Sequence, residues 1–295
     1  MKIGTGLGFS DHLDISENEI YENLAIAGFQ CVDYPLLHYN YQSPMWRTSD
    51  EELRRKMENV RDIIHAYGLT VGQTHSPLDG YWGADYGSKE LRWKAQIQAI
   101  KATAFLGAPY VVVHPLLSNY IANPENYKEA KQLNMEYYNF LKPYLQEYDV
   151  KLAIENLYTY DNNGMTCKCI CSTARDLKDY VDTLDSERFV VCLDTGHALL
   201  ASQNPTDMIY ELGKDYLHVT HIHDNNSLDD YHMMPGAGKI DWYSVGKALH
   251  DIGYDGVFNF EADRPYYKMG EFVYELSLDL LKFYAELGKC IAEIK

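Results

Sequence analysis

The chain has 295 residues, with 26 Lys and Arg against 43 Asp and Glu, a formal charge of −17. A hydrophobic fraction of 46% is ample for a buried core and excludes disorder as a description of the whole. The acidity argues against a nucleic-acid backbone or an anionic membrane surface as the main partner, because both recruit Lys and Arg.

Met1 and Lys2 run directly into IGTGLGF, without the longer basic and apolar segments expected of a secretory leader. The apolar runs are strand-sized, such as 111–113 and 189–193, and far short of a membrane span. Six sparse, uneven cysteines do not form the framework of a small secreted domain, so a reducing, cytoplasmic location is expected. Strands are expected at 2–9, 31–37, 70–75, 110–115, 151–156, 189–194, 216–223 and 256–261. Most are continuous apolar runs that end in a polar residue, as strands buried on both faces of a parallel sheet read.

The intervening segments carry helical patterns. Ser16 with Glu19, and Ser49 with Glu52, have capping-box spacing. Leu53, Met57, Val60 and Ile64 keep one face, as do Trp93, Ile97, Ile100 and Ala104. Val273, Leu276, Leu280, Tyr284 and Leu287 form a last amphipathic helix. Gly28, Gly68, Gly107 and Gly253 stand just past helix ends and before strands. Gly4, Gly6 and Gly8 lie inside the first strand, which suits backbone clearance and not a phosphate loop. Eight strand–helix units in strict alternation predict a (β/α)8 TIM barrel, and with no Pro/Gly/Ser-rich linker the chain reads as one domain, 1–295.

In such a barrel the chemistry lies where strands end and βα loops begin. Ligand-type residues stand at those ends in turn: His75, His114, Glu155, Asp194, His221 and Glu261. His197 follows Asp194 by three residues, and Asp230 and His232 lie in the loop after the seventh strand. Carboxylates and imidazoles brought together at a barrel mouth repel or stay unsatisfied unless cations lie between them. One or more divalent metals resolve this, and the His/carboxylate donors suit zinc or manganese.

At these residues the sequence resembles the xylose isomerase-like barrel superfamily. That superfamily includes sugar-phosphate isomerases and epimerases, ketose 3-epimerases, inosose dehydratase-like enzymes and the abasic-site nuclease endonuclease IV. The likeness covers nearly the whole chain, and its most specific pieces are CLDTGHA (192–198), HIHDN (221–225) and DDYHMMPGAGKIDW (229–242). The epimerase likeness implies one central metal on Glu155, Asp194, His221 and Glu261. It also implies that Glu155 and Glu261 serve as acid and base on opposite faces of a sugar carbon, through an enediolate. His197 would contact substrate oxygens, with His75 and His114 lining the pocket. Those epimerases carry an arginine shortly after the metal histidine, whereas IHDNNSLDDYH follows His221 here.

The endonuclease IV likeness implies three zinc ions: one on His75, His114 and Glu155, one on Glu155, Asp194, His221 and Glu261, and one on His197, Asp230 and His232. The loops beside these ligands are lean in Lys and Arg. SPLDGYWGADYGSK, after His75, is acidic and aromatic and suits stacking on a small sugar, with Trp82 as a substrate contact. The expectation is therefore a metal-dependent isomerase or epimerase of a small sugar, sugar phosphate or polyol, holding one to three zinc or manganese ions. Its partner is a small sugar-like substrate, with no nucleic acid or membrane, and an oligomer is left open. The alternatives are a zinc phosphodiesterase acting on abasic DNA and a non-catalytic barrel that holds metal.

Other features weigh less. Cys167, Cys169 and Cys171 lack the separated pairs of a structural zinc site and read as reduced loop thiols, and Cys192 reads as a small core residue. His12, His38, His65, His218 and His250 show no ligand partner in sequence, and alternation turns His218 away from the face of His221. His223 shares that face but lies deeper into the loop, where a supporting or a substrate role is open. Among the 26 tyrosines, the pocket candidates are Tyr34, Tyr81, Tyr158 and Tyr266. Arg264 reads as an ion-pair partner on the barrel rim.

Overall fold

The computed structural model describes all residues except 9, 11–14, 40, 79–88, 117–123 and 264–271. The apolar runs pair side by side as eight parallel strands: β1 (Lys2–Gly6), β2 (Cys31–Tyr34), β3 (Thr70–His75), β4 (Tyr110–Val113), β5 (Lys151–Glu155), β8 (Phe189–Asp194), β9 (Leu217–His221) and β10 (Val257–Phe260). Their order is β10-β1-β2-β3-β4-β5-β8-β9. A parallel bridge between Ile222 and Phe260 joins the two ends of the sheet. The result is the expected (β/α)8 barrel.

Several predicted strands overrun at their C-terminal ends, because the polar residues there leave the ladder and turn toward the barrel mouth. A short antiparallel hairpin, β6 (Tyr158–Tyr160) with β7 (Thr166–Lys168), was not anticipated and fills the loop after β5.

Helices α1 (Glu17–Ala27), α2 (Asp50–Ala66), α3 (Lys89–Phe105), α4 (Pro124–Glu147), α5 (Ala174–Leu184), α6 (Thr195–Leu200), α7 (Pro205–Tyr216), α8 (Trp242–Asp251) and α9 (Phe272–Ala292) complete the order. Ser16 and Glu19 form a full capping box on α1, and the Ser49 side chain accepts the Glu52 amide at the start of α2. α2 buries Leu53, Met57 and Ile64 against the sheet. No helix among the described residues is long and apolar enough to cross a membrane.

Two cores result. A small one inside the barrel holds Val112, Ala153, Val190, Cys192 and Val219, and a much larger one lies between strands and helices. The interior is crowded: a Cβ on Gly4 would lie 2.6 Å from a Val257 methyl, so only glycine fits there. This packed floor leaves the C-terminal mouth as the open end.

Candidate active site

Strand register decides which polar side chains meet. Asp194 pairs with His221 across β8 and β9, and Glu155 pairs with Cys192 across β5 and β8. Glu155, Asp194 and His221 each end their strand, so their side chains gather at the mouth.

Glu155, 1% exposed, is the hub. One of its oxygens lies 3.1 Å from His114 Nε2 and 3.3 Å from His75 Nε2. The other lies 3.2 Å from His221 Nδ1 and 3.3 Å from His197 Nδ1. His221 Nδ1 is also 2.9 Å from Glu261 Oε2. Carboxylates from the end of β5 and from just beyond β10 thus converge on one ring nitrogen.

A second junction forms at Asp194. Its side chain caps α6 by accepting the His197 amide at 2.6 Å, and His223 Nε2 approaches its two oxygens at 2.9 and 3.0 Å. Asp230 lies 3.2 Å from both His197 Nε2 and His232 Nε2. The His223 and His232 rings stack with centroids 4.4 Å apart.

The electrostatics follow from burial set against these pairings. Burial would push every imidazole here down, but the neighbouring carboxylates outweigh it at His75, His197, His221 and His232, whose pKa values are raised. At His114 burial wins and the pKa is lowered. Burial would push Glu155, Asp230 and Glu261 up, yet the imidazoles hold all three carboxyls below their usual range.

Four sets of donor atoms lie within 4.8 Å of one another: His75, Glu155 and His221; Asp194, His197 and His223; His223, Asp230 and His232; and Glu155, Asp194, His221 and Glu261. Among the described residues, the ion pairs of Glu155, Asp194, Asp230 and Glu261 are all to histidine. Imidazole and carboxylate donors without a competing lysine or arginine fit a divalent cation of the zinc or manganese type.

Every ligand-type residue expected at a strand end joins this cluster. Trp82, Tyr81, Tyr266, Arg264 and His12 lie outside the described residues. Tyr158 stands beside the cluster, its ring centroid 5.3 Å from that of His197. Tyr34 does not: it lines an outer groove with Glu17, Met45 and Met57, because alternation sends Asp33 inward and its neighbour outward. His218 faces Tyr110 at the far end of the barrel, 3.3 Å from its hydroxyl. Cys167, Cys169 and Cys171 are free thiols, and burial pushes Cys169 up to about 12, which keeps it protonated.

Three supporting residues escaped the sequence reading. Asp33 meets His221 Nε2 at 3.2 Å and accepts Gln73 Nε2 at 2.8 Å and Asn259 Nδ2 at 3.1 Å. A carboxylate inside the buried CVDY strand was its visible signal. Asn156 clasps the Asp194 backbone through both amide atoms, at 2.7 and 2.9 Å. Asp224, fully buried, accepts the amides of Asn225, Gly236, Gly238, Lys239 and Ile240 and the Trp242 indole N–H. It thereby folds the loop that carries Asp230 and His232. Beside the cluster opens a cavity of about 200 Å³, lined by Leu7, Asp33, His38, His75, His232 and Glu261 among others.

The sequence model of the xylose isomerase-like TIM barrel family matches residues 21–284. The chain belongs to that family. Within it, the chain is 32% identical over 171 residues to a protein of unassigned function from Methanocaldococcus jannaschii, covering 55% of this chain and 54% of that protein. It is 33% identical over 111 residues to the D-psicose 3-epimerase of Enterocloster bolteae, covering 38% and 33%. It is 27% identical over 164 residues to the probable endonuclease 4 of Metamycoplasma arthritidis, covering 52% and 55%. The matched segments thus span about half of these relatives or less. Among solved structures, a D-tagatose 3-epimerase-like protein superposes with a TM-score of 0.70 over 98% of both chains at 23% identity. The IolI protein with a bound zinc atom does so at 0.70 over 99% of this chain and 98% of that one, at 17% identity. At such identities the structural likeness shows the fold.

Proposed function

We propose that this barrel is a divalent-metal-dependent isomerase or epimerase of a small sugar or polyol. The convergence of Glu155 and Glu261 on His221 Nδ1, at 3.2 and 2.9 Å, carries the reading. The sugar epimerases among its relatives support it. Glu155, Asp194, His221 and Glu261 would hold the metal, zinc or manganese, and the zinc bound by a protein of the same fold is consistent with the former. When bound, the metal supplies Lewis acidity that polarises a substrate oxygen and acidifies the neighbouring C–H.

Glu261, its side chain 26% exposed, lines the cavity and takes or returns the proton on the open side. Glu155 serves the opposite side. His75, His114 and His197 orient its oxygens and line the pocket beside the substrate. Glu155→Gln or Glu261→Gln should each lower turnover by at least ~100-fold, the usual span of a lost acid or base, while circular dichroism shows the barrel folded. Wild-type turnover in either variant would overturn the mechanism.

A second reading, a phosphodiesterase of the endonuclease 4 kind, is favoured by the meeting of all nine ligand-type residues and by the Metamycoplasma relative. Incision of abasic DNA by the zinc-loaded protein would establish it. Asp229, which accepts the Tyr160 hydroxyl, and Asp263, 3.6 Å from His232 Nδ1, add negative charge beside the cluster that argues against a polyanionic substrate.

A further inference from the structure

We infer that Asp33 recognises the substrate, accepting a hydroxyl of an unphosphorylated sugar or polyol held in the cavity beside the histidine–carboxylate cluster. The inference rests on the isomerase or epimerase reading above and adds to it a recognition residue and a substrate class.

Asp33 stands within β2 and is 6% exposed. Its Oδ2 is fully used: Gln73 Nε2 donates to it at 2.8 Å and Asn259 Nδ2 at 3.1 Å, and His221 Nε2 lies at 3.2 Å. His221 Nδ1 faces Glu155 and Glu261, which leaves Nε2 as the nitrogen that donates to Asp33. Oδ1 is buried and has no hydrogen-bond partner among the described residues. A buried carboxylate oxygen in that state is costly unless a donor reaches it. Three protein donors are spent on one oxygen, and the cavity that Asp33 lines is where a ligand can bring a donor to the other.

The walls of that cavity suit a small polyhydroxylated molecule. Leu7, Pro35 and Leu37, from the loops after β1 and β2, form an apolar side for C–H groups. Asp33, Glu261 and Asp263 supply acceptors, and among the described residues none that line it is Lys or Arg. The imidazoles of His75 and His232 in the same wall already face Glu155 and Asp230. A phosphate ester carries a charge of about −1.5 to −2 and would set it against three carboxylates. A hydroxyl instead donates to a carboxylate in a charge-assisted bond. A Cβ on Gly8 would lie 2.5 Å from Asp263 Oδ2, so a glycine there keeps this side of the cavity open.

The test is a substrate comparison. The metal-loaded chain and its Asp33→Asn variant are assayed for proton exchange from D₂O with a set of ketoses, their phosphate esters, and analogues deoxygenated at carbons not adjacent to the carbonyl. The ratio of kcat/KM between a ketose and its deoxy analogue cancels any general loss transmitted through His221. In the wild type, removal of one hydroxyl should lower kcat/KM by about 10- to 100-fold, the range of a hydrogen bond to a charged group. The phosphate ester should be worse than its free ketose by at least ~10-fold. In Asp33→Asn, the Gln73, Asn259 and His221 donors hold the amide oxygen in the place of Oδ2, which puts an NH₂ where Oδ1 stood. The hydroxyl ratio should then shrink by at least ~5-fold, the difference between a charge-assisted and a neutral bond. Equal ratios in wild type and variant, or a phosphate ester used as well as its free ketose, overturn the inference and leave the proposed function standing. No exchange with any sugar in the wild type overturns both. Should Asp33→Asn fail to unfold cooperatively, a crystal structure of the wild type with its best ketose decides instead. A sugar hydroxyl about 3 Å from Asp33 Oδ1 supports the inference, and an Oδ1 bonded only to water or protein overturns it.

Discussion

Glu155 bears its charge where water does not reach it, and four imidazoles answer that charge. Because the carboxylates raise His75, His197, His221 and His232, these rings keep their protons to higher pH than a free imidazole while no cation competes. A metal binds only the deprotonated nitrogen, so binding must release protons and the affinity must fall as pH falls. Calorimetric titration of Zn²⁺ near neutral pH should give apparent enthalpies that change with the ionisation enthalpy of the buffer, and identical enthalpies in two buffers would contradict the pairing. The ligands themselves were legible because each ends an apolar run. Asp33 and Asn156 were less so: alternation gives the face a residue occupies, but only the register of distant strands gives its partner. His38 illustrates the same limit, since nothing beside it in sequence marks it as lining the cavity.

Among the elements, the segment 224–242 shows how a loop can be as fixed as a helix. Its P-G-x-G-x-I-D-W run was visible, but the Asp224 anchor was not, because five of its six donors are backbone N–H groups that any sequence supplies. Asp224→Ala should strand several buried donors and destabilise the protein by ~3 kcal/mol or more, at 1–3 kcal/mol for each unsatisfied group. Urea unfolding checks the stability. A variant as stable as the wild type would show that the loop folds without the anchor. The β6–β7 hairpin escaped prediction for a related reason: three-residue strands carry too few alternations to declare a period.

At the scale of the molecule, the barrel was the most legible feature, since eight buried runs alternating with amphipathic helices leave few other architectures. The charge of −17 divides into a buried set at the mouth, which cations can neutralise, and a larger solvated remainder. The mouth set alone does not separate the two proposed chemistries, because both draw on the same carboxylates and imidazoles. Under the proposed function the carboxylates that face one another across imidazoles pass protons, whereas a protein that grips DNA needs cations on its rim. Proton exchange from D₂O therefore bears most directly on the proposed function. The zinc- or manganese-loaded protein is incubated with a panel of unphosphorylated and phosphorylated ketoses, and the C–H signal next to the carbonyl is followed by proton NMR. The expected result is loss of that signal for at least one ketose, slowed by at least ~100-fold in Glu261→Gln and abolished by chelation. Retention of the signal across the panel, with cleavage of abasic DNA by the same preparation, would contradict it.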